Sequence, residues 1–153
     1  MPADQAPVPA DQTPVPADQL PVEHLFTLQL TAAMDQAHHV RGGPAGRRII
    51  AAVTGGTFSG ARLSGTVAPL TGADWVTVRP DKSLRIDVRL VLQADDGGTI
   101  YMYYGGILID GRARTAPYFE TGDEQHAWLN NVQAVGIGEV TAEGPRYEVY
   151  ALR

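Results

Sequence analysis

The residues best placed to do chemistry lie in one run, where Asp87 and Arg89 stand two positions apart among the apolar residues of Leu84–Gln93. A spacing of two puts both side chains on one face of a strand. There Asp87 is the acid–base candidate and Arg89 its charged partner, with Tyr104 as a hydrogen-bond donor to a carbonyl oxygen. Trp75, Tyr101, Met102, Tyr103 and Trp128 offer flat or polarisable surfaces for an apolar ligand. Glu120, beside Tyr118 and Phe119, is a further carboxyl of unassigned face. His38 and His39 are adjacent and point to opposite sides of an extended chain, so no metal site is expected from them. His126 sits near Trp128 in a short helical stretch and reads as a half-buried helix residue. There is no Gly-x-Ser-x-Gly, P-loop or dinucleotide fingerprint, and Gly42-Gly43-Pro44-Ala45-Gly46 reads as a loop.

Composition narrows the chemistry further. The 153 residues include no Cys, which excludes disulfides, thiol catalysis and Cys-ligated metal. Seventeen acidic residues against 12 basic ones give a net charge of −5, so no nucleic-acid partner is expected. No apolar run is long enough to cross a membrane and no secretory pattern is present, so a cytoplasmic location is expected. No cofactor is expected either.

The elements that must position these residues begin after a distinct tail. Six of the 11 prolines fall in residues 1–21, and APVPADQ (6–12) is repeated as TPVPADQ (13–19). Proline twice per repeat opposes helix and favours extended chain, so residues 1–21 are expected to be a disordered tail. It lacks the P-x-x-P spacing and adjacent Arg of the better-known groove ligands.

Residues 22–153 read as one domain. Period-two segments rich in Val, Ile, Thr and Tyr predict strands near 25–31, 48–54, 62–68, 75–79, 84–93, 99–108, 118–121, 132–140 and 146–152. One short helix is expected at Gly122–Asn130. The fold class is all-β: a single antiparallel barrel of about eight to nine strands.

Two-residue turns at Asp81-Lys82 and Asp96-Gly97 would set Val76 opposite Asp87, and Arg89 opposite Tyr104. One face then carries Asp87, Arg89, Ile100, Met102 and Tyr104. The other carries Trp75, Ile86, Val88, Leu90, Tyr101 and Tyr103, and is the more apolar, hence the default interior. With the first face inside, Asp87 and Arg89 become polar groups in an apolar cavity. With it outside, exposed Met102 and Ile100 point to a homodimer interface. An odd loop length at either turn would reverse the assignment across that hairpin.

GGTFSGARLSGTV (Gly55–Val67), GADWVTVRPD (Gly72–Asp81), IDVRLVLQADDGGTIYM (Ile86–Met102) and PYFETGDEQHAWLNNVQAVGIGEV (Pro117–Val140) occur in an order that resembles a bacterial and fungal family, domain of unknown function 3237. The resemblance spans residues 23–152. Leu90 and Gly105-Gly106-Ile107 depart from the family's usual aromatic and Gly-x-Arg. It implies a compact antiparallel barrel, analogous to allene-oxide-cyclase-like barrels and to small cyclases of polyketide pathways.

The resulting expectation is a cofactor-independent cyclase or isomerase of secondary metabolism, pericyclic chemistry included, acting on an apolar polyketide-like metabolite in a barrel cavity. Asp87, Arg89 and Tyr104 are its expected catalytic residues. A non-catalytic ligand-binding barrel and a structural or oligomeric accessory protein are the alternatives.

Overall fold

The computed structural model describes residues 16–153. Expectations for residues 1–15 lie outside the described residues. Pro16–Pro21 hold a short 3-10 turn at Ala17–Gln19 and lead into the first strand.

Ten strands follow: β1 (Val22–Ala32), β2 (His38–Gly43), β3 (Gly46–Ser59), β4 (Ser64–Val67), β5 (Ala73–Val78), β6 (Leu84–Ala94), β7 (Thr99–Ile109), β8 (Arg112–Glu120), β9 (Ala134–Val140) and β10 (Pro145–Leu152). They form a closed antiparallel barrel of eight positions, because β1 pairs both β10 and β3. β4 and β5 share one position between β3 and β6, β4 beside one half and β5 beside the other. β2 lies outside the cylinder on the first half of β3. At Gly55-Gly56, β3 changes partners and the ladder with β1 shifts register. Gly56 has φ +148°, and a Cβ there would lie 2.2 Å from the Gln29 carbonyl oxygen, so only glycine fits this corner.

The expected helix is a 3-10 segment, Glu124–Asn131, whose N-cap Asp123 accepts a hydrogen bond from the Gln125 amide. His126 is buried within it and holds Asp96 of the β6–β7 turn through Nε2, at 2.8 Å. The nine expected strands omit β2 and most of β8. In β8 the inward positions are Ala113, Thr115, Pro117 and Phe119, a weak apolar signal broken by a proline. Pro117 lies just past the point where pairing with β9 ends, so its missing N–H interrupts no β8–β9 bond.

Both hairpin turns differ from the two-residue expectation. Arg79 N–H bonds the Ser83 carbonyl at 2.9 Å and Ala94 N–H bonds the Gly98 carbonyl at 2.8 Å, so each turn holds three residues. The third of each is left-handed, Lys82 at φ +68° and Gly97 at φ +97°. Side-chain bonds fix them: Asp81 Oδ1 accepts from Ser83 N–H at 3.0 Å, and Asp96 Oδ1 from Gly98 N–H at 3.2 Å. The extra residue shifts each pairing by one. Leu90 now opposes Met102 and Val88 opposes Tyr104. Val76, Ile86, Val88, Leu90, Leu92, Ile100, Met102 and Tyr104 therefore all face inward and are buried.

The interior has two halves. In one, Phe26 packs edge-on against Phe58 and Phe119, at 5.5 and 6.0 Å between ring centroids. Leu92, Ile100, Met102 and Leu129 complete this solid half. The other half is hollow.

Candidate active site

The hollow half is a cavity of about 350 Å³. Small and branched side chains leave the space, among them Ala51, Val53, Ile86, Val88 and Leu30. Its rim carries the β9–β10 turn, Glu139–Pro145, and the exposed Met34.

Into this apolar wall β5 projects Asp74. The residue pairs with Ala51 and Val88, both inward, so its own side chain faces inward as well. Burial pushes its carboxyl up to about 6. Asp87 N–H donates to Asp74 Oδ1 at 3.4 Å, which pulls the other way, while the Asp87 charge adds to the rise. Tyr104 and Tyr147 line the same cavity, edge-to-face with ring centroids 5.3 Å apart. Both are buried, and burial raises both phenols, with the Asp74 charge adding to it. They therefore remain protonated donors at any working pH. The arrangement is one proton-exchanging carboxyl beside two neutral phenols, in a cavity with mostly apolar walls. Such a set removes a proton and stabilises the oxyanion that results.

Of the expected catalytic residues, Tyr104 alone lines this cavity. Asp87 and Arg89 stand on the outer face of β6, Asp87 opposite Gly105 and Arg89 opposite Tyr103. Asp87 Oδ1 is buried without a hydrogen-bond partner, and Arg89 is exposed with its guanidinium 5.1 Å from the Tyr103 ring. The shifted turns separate them from Tyr104. Of the expected ligand contacts, Met102 is inside but belongs to the solid half. With 1% exposure it is no part of an outer face, which corrects the conditional dimer reading built on it. Trp75, Tyr101 and Tyr103 point outward on β5 and β7. Trp128 is half-buried against the solid half, with Arg62 3.8 Å over its ring.

Asp74 and Tyr147 were missed. The signal for Asp74 was present, since it alternates with Val76 and Val78, a carboxyl on an apolar face. The two-residue turns place Trp75 rather than Asp74 on the side of Ile86, Val88 and Leu90; those three do face inward, and the longer turns reverse β5 and β7 against them. Among the described residues no cluster of His, Asp and Glu has the geometry to hold a metal.

The model for protein of unknown function DUF3237 matches residues 20–113 and 109–152. The chain belongs to this family. A UPF0311 protein of Rhodopseudomonas palustris strain TIE-1 is 30% identical over 118 residues, covering 65% of this chain and 74% of that protein. The hydroalkoxylation enzyme phnH of Penicillium herquei is 30% identical over 115 residues, covering 75% of this chain and 72% of that enzyme. Among solved structures, a β-barrel-like protein of Acinetobacter baumannii AYE superposes with a TM-score of 0.82 at 27% identity, covering 94% of this chain and 100% of that one. No helix among the described residues is long and apolar enough to cross a membrane.

Proposed function

We propose that the chain is a cofactor-independent cyclase or isomerase that closes a ring in an apolar, polyketide-like molecule held in the barrel cavity. One observation carries the reading: Asp74, a carboxyl raised to about 6, faces two buried phenols inside an otherwise apolar cavity. A volume of about 350 Å³ suits a ligand of two or three fused rings, given that about 150 Å³ holds a benzene. The kinship with a hydroalkoxylation enzyme supports the reaction type, the addition of O–H across C=C.

The step balances without an oxidant or a metal. Ionised Asp74 takes the proton of a substrate hydroxyl. The oxygen attacks an alkene carbon conjugated to a carbonyl, forming a C–O bond as the C=C bond breaks. The electron pair moves onto the carbonyl oxygen, where Tyr104 and Tyr147 donate hydrogen bonds. The proton on Asp74 then returns to the adjacent carbon, so the product is an isomer of the substrate. Holding hydroxyl and alkene in one conformer contributes several kcal/mol by itself.

The test is to incubate the protein with fused-ring hydroxyalkenes conjugated to a carbonyl and to follow ring-closed isomers of unchanged mass by chromatography. Asp74→Asn should retain the fold and lose about 10²–10⁴-fold in turnover. Turnover should rise as pH climbs through about 6 and level off above it, because the ionised carboxyl is the base. A variant as active as the original would remove Asp74 from the mechanism. Binding with no conversion across the whole panel would leave a carrier in place of an enzyme.

A further inference from the structure

The outer wall of the barrel holds a second recess that the cavity chemistry does not use. Across β3, β5, β6, β7 and β8 the register aligns three rows of outward side chains. Arg48, Thr77, Arg85, Ile107 and Arg114 form one row. Arg89, Tyr103 and Tyr118 form another, the two Tyr rings 5.0 Å apart. Between them runs a low row, Asp87, Gly105 and Ala116, which ends at Trp75. The result is a groove across the strands, made of two clefts that share Arg85. Trp75 and Tyr118 are 47% and 45% exposed. None of Arg48, Arg79, Arg85, Arg89 and Arg114 forms an ion pair among the described residues. On a chain of net charge −5, this is a concentrated positive face with open aromatic rings.

The chain carries a segment whose chemistry complements it. Residues 1–19 hold Asp4, Asp11 and Asp18, five prolines and no Lys or Arg. Pro21, just before β1, lies near the groove. Arg153 N–H bonds the Pro21 carbonyl at 3.0 Å, Leu152 N–H bonds the Gln133 carbonyl at 2.9 Å, and Gln133 lines the β8 end of the recess. Two strand spacings, about 10 Å, separate Pro21 from that rim. The groove crosses four further spacings, about 19 Å, and one seven-residue repeat in polyproline geometry spans about 22 Å. Ala17–Gln19 are held in their 3-10 turn, so the reach is counted from Pro16: the fifteen residues before it extend to about 46 Å on the same rise, more than the two distances together.

We propose that residues 1–15 dock in this groove of their own barrel, with prolines against Trp75, Tyr103 and Tyr118 and with Asp4 and Asp11 among the arginines. Proline on aromatic rings, in a segment already extended, is an established way to bind at low entropic cost. The absence of cysteine gives a direct test. Val8→Cys in the full chain takes a single nitroxide, whose effect on the Trp75 and Tyr118 signals is read by NMR. At low salt those signals should lose most of their intensity relative to the reduced label, while those of Gln29, on β1 four positions round the barrel from β7, should not. The loss should persist on dilution. It should vanish in Arg85→Glu, in the Asp4→Asn, Asp11→Asn double variant, whose changes lie outside the barrel, and at about 1 M salt, where screening acts within about 3 Å. No selective loss at low salt overturns the proposal. A loss that fades on dilution assigns the groove to a second copy's segment and overturns docking within one chain. A loss that survives the double variant overturns the role of the aspartates.

Discussion

Asp74 and Asp87 lie on neighbouring strands and face opposite sides of one wall, and the side decides what each can do. Asp74 faces an apolar cavity, so holding its charge there costs free energy and its proton is retained up to about pH 6. The sign for stability follows. A carboxyl raised in the folded state stabilises most below about pH 4, and that stabilisation is lost as pH rises through about 6. The two-unit rise from 3.8 to about 6 corresponds to about 3 kcal/mol. Asp74→Asn keeps an oxygen for the Asp87 N–H and removes the charge. Denaturant melts at pH 4, 5, 6 and 7 should show the original protein weakening across that range relative to the variant, with Asn more stable at pH 7 by up to about 3 kcal/mol. Equal stability of the two proteins at pH 7 would contradict the buried charge. The residue proposed to do chemistry is thus one the fold would be firmer without.

The element that fixes this arrangement is the three-residue turn. The strand segments on either side of Asp81 and Asp96 were legible in the sequence, because apolar residues recur there at every second position, as in Leu84, Ile86, Val88, Leu90 and Leu92. The parity of the turns was not. Asp96-Gly97 suits a two-residue turn by type, and the longer turn goes with bonds that residue type alone does not show: Gly98 N–H to the Asp96 carboxylate, Ala94 N–H to the Gly98 carbonyl, and the His126 contact with Asp96. One residue of loop moved Asp87 and Arg89 away from Tyr104 and gathered Ile100, Met102 and Tyr104 with Leu90 and Leu92. Gly97 can be tested directly. A Cβ there meets nothing within 4 Å, so Gly97→Ala meets only the cost of φ +97°. A loss of about 1–2 kcal/mol is expected in urea melts. A larger loss, with changed amide shifts along β6 and β7, would mean that the hairpin register itself depends on this residue.

At the scale of the molecule the barrel is half core and half vessel, and substitutions should divide accordingly. Phe26 sits at 0% exposure between Phe58 and Phe119, so Phe26→Ala should cost about 3–5 kcal/mol. Ala51 lines the cavity, so in Ala51→Leu the added carbons enter empty space. Stability should hold or rise, while binding and turnover of any cavity ligand should fall. A fall in stability as large as that of Phe26→Ala would show the two halves to be one packed unit. The resemblance to the family and the all-β class were readable from motif order and period. The split of the interior was not, since it depends on which small residues, Ala51 and Val53 of β3 and Val88 of β6, face one space from two strands distant in sequence.

The shared position of β4 and β5 gives this division a time course. The main chain leaves the wall between Val67 and Ala73, so the solid half is closed by β4 and the hollow half by β5. Two stacked rings joined at such a nick can open one at a time. Amide hydrogen exchange should then sort β3 and β6 by half: Thr57–Ser59 and Leu92–Ala94 exchanging with global unfolding, Arg47–Ala52 and Leu84–Arg89 sooner, as the mouth breathes and lets a ligand pass.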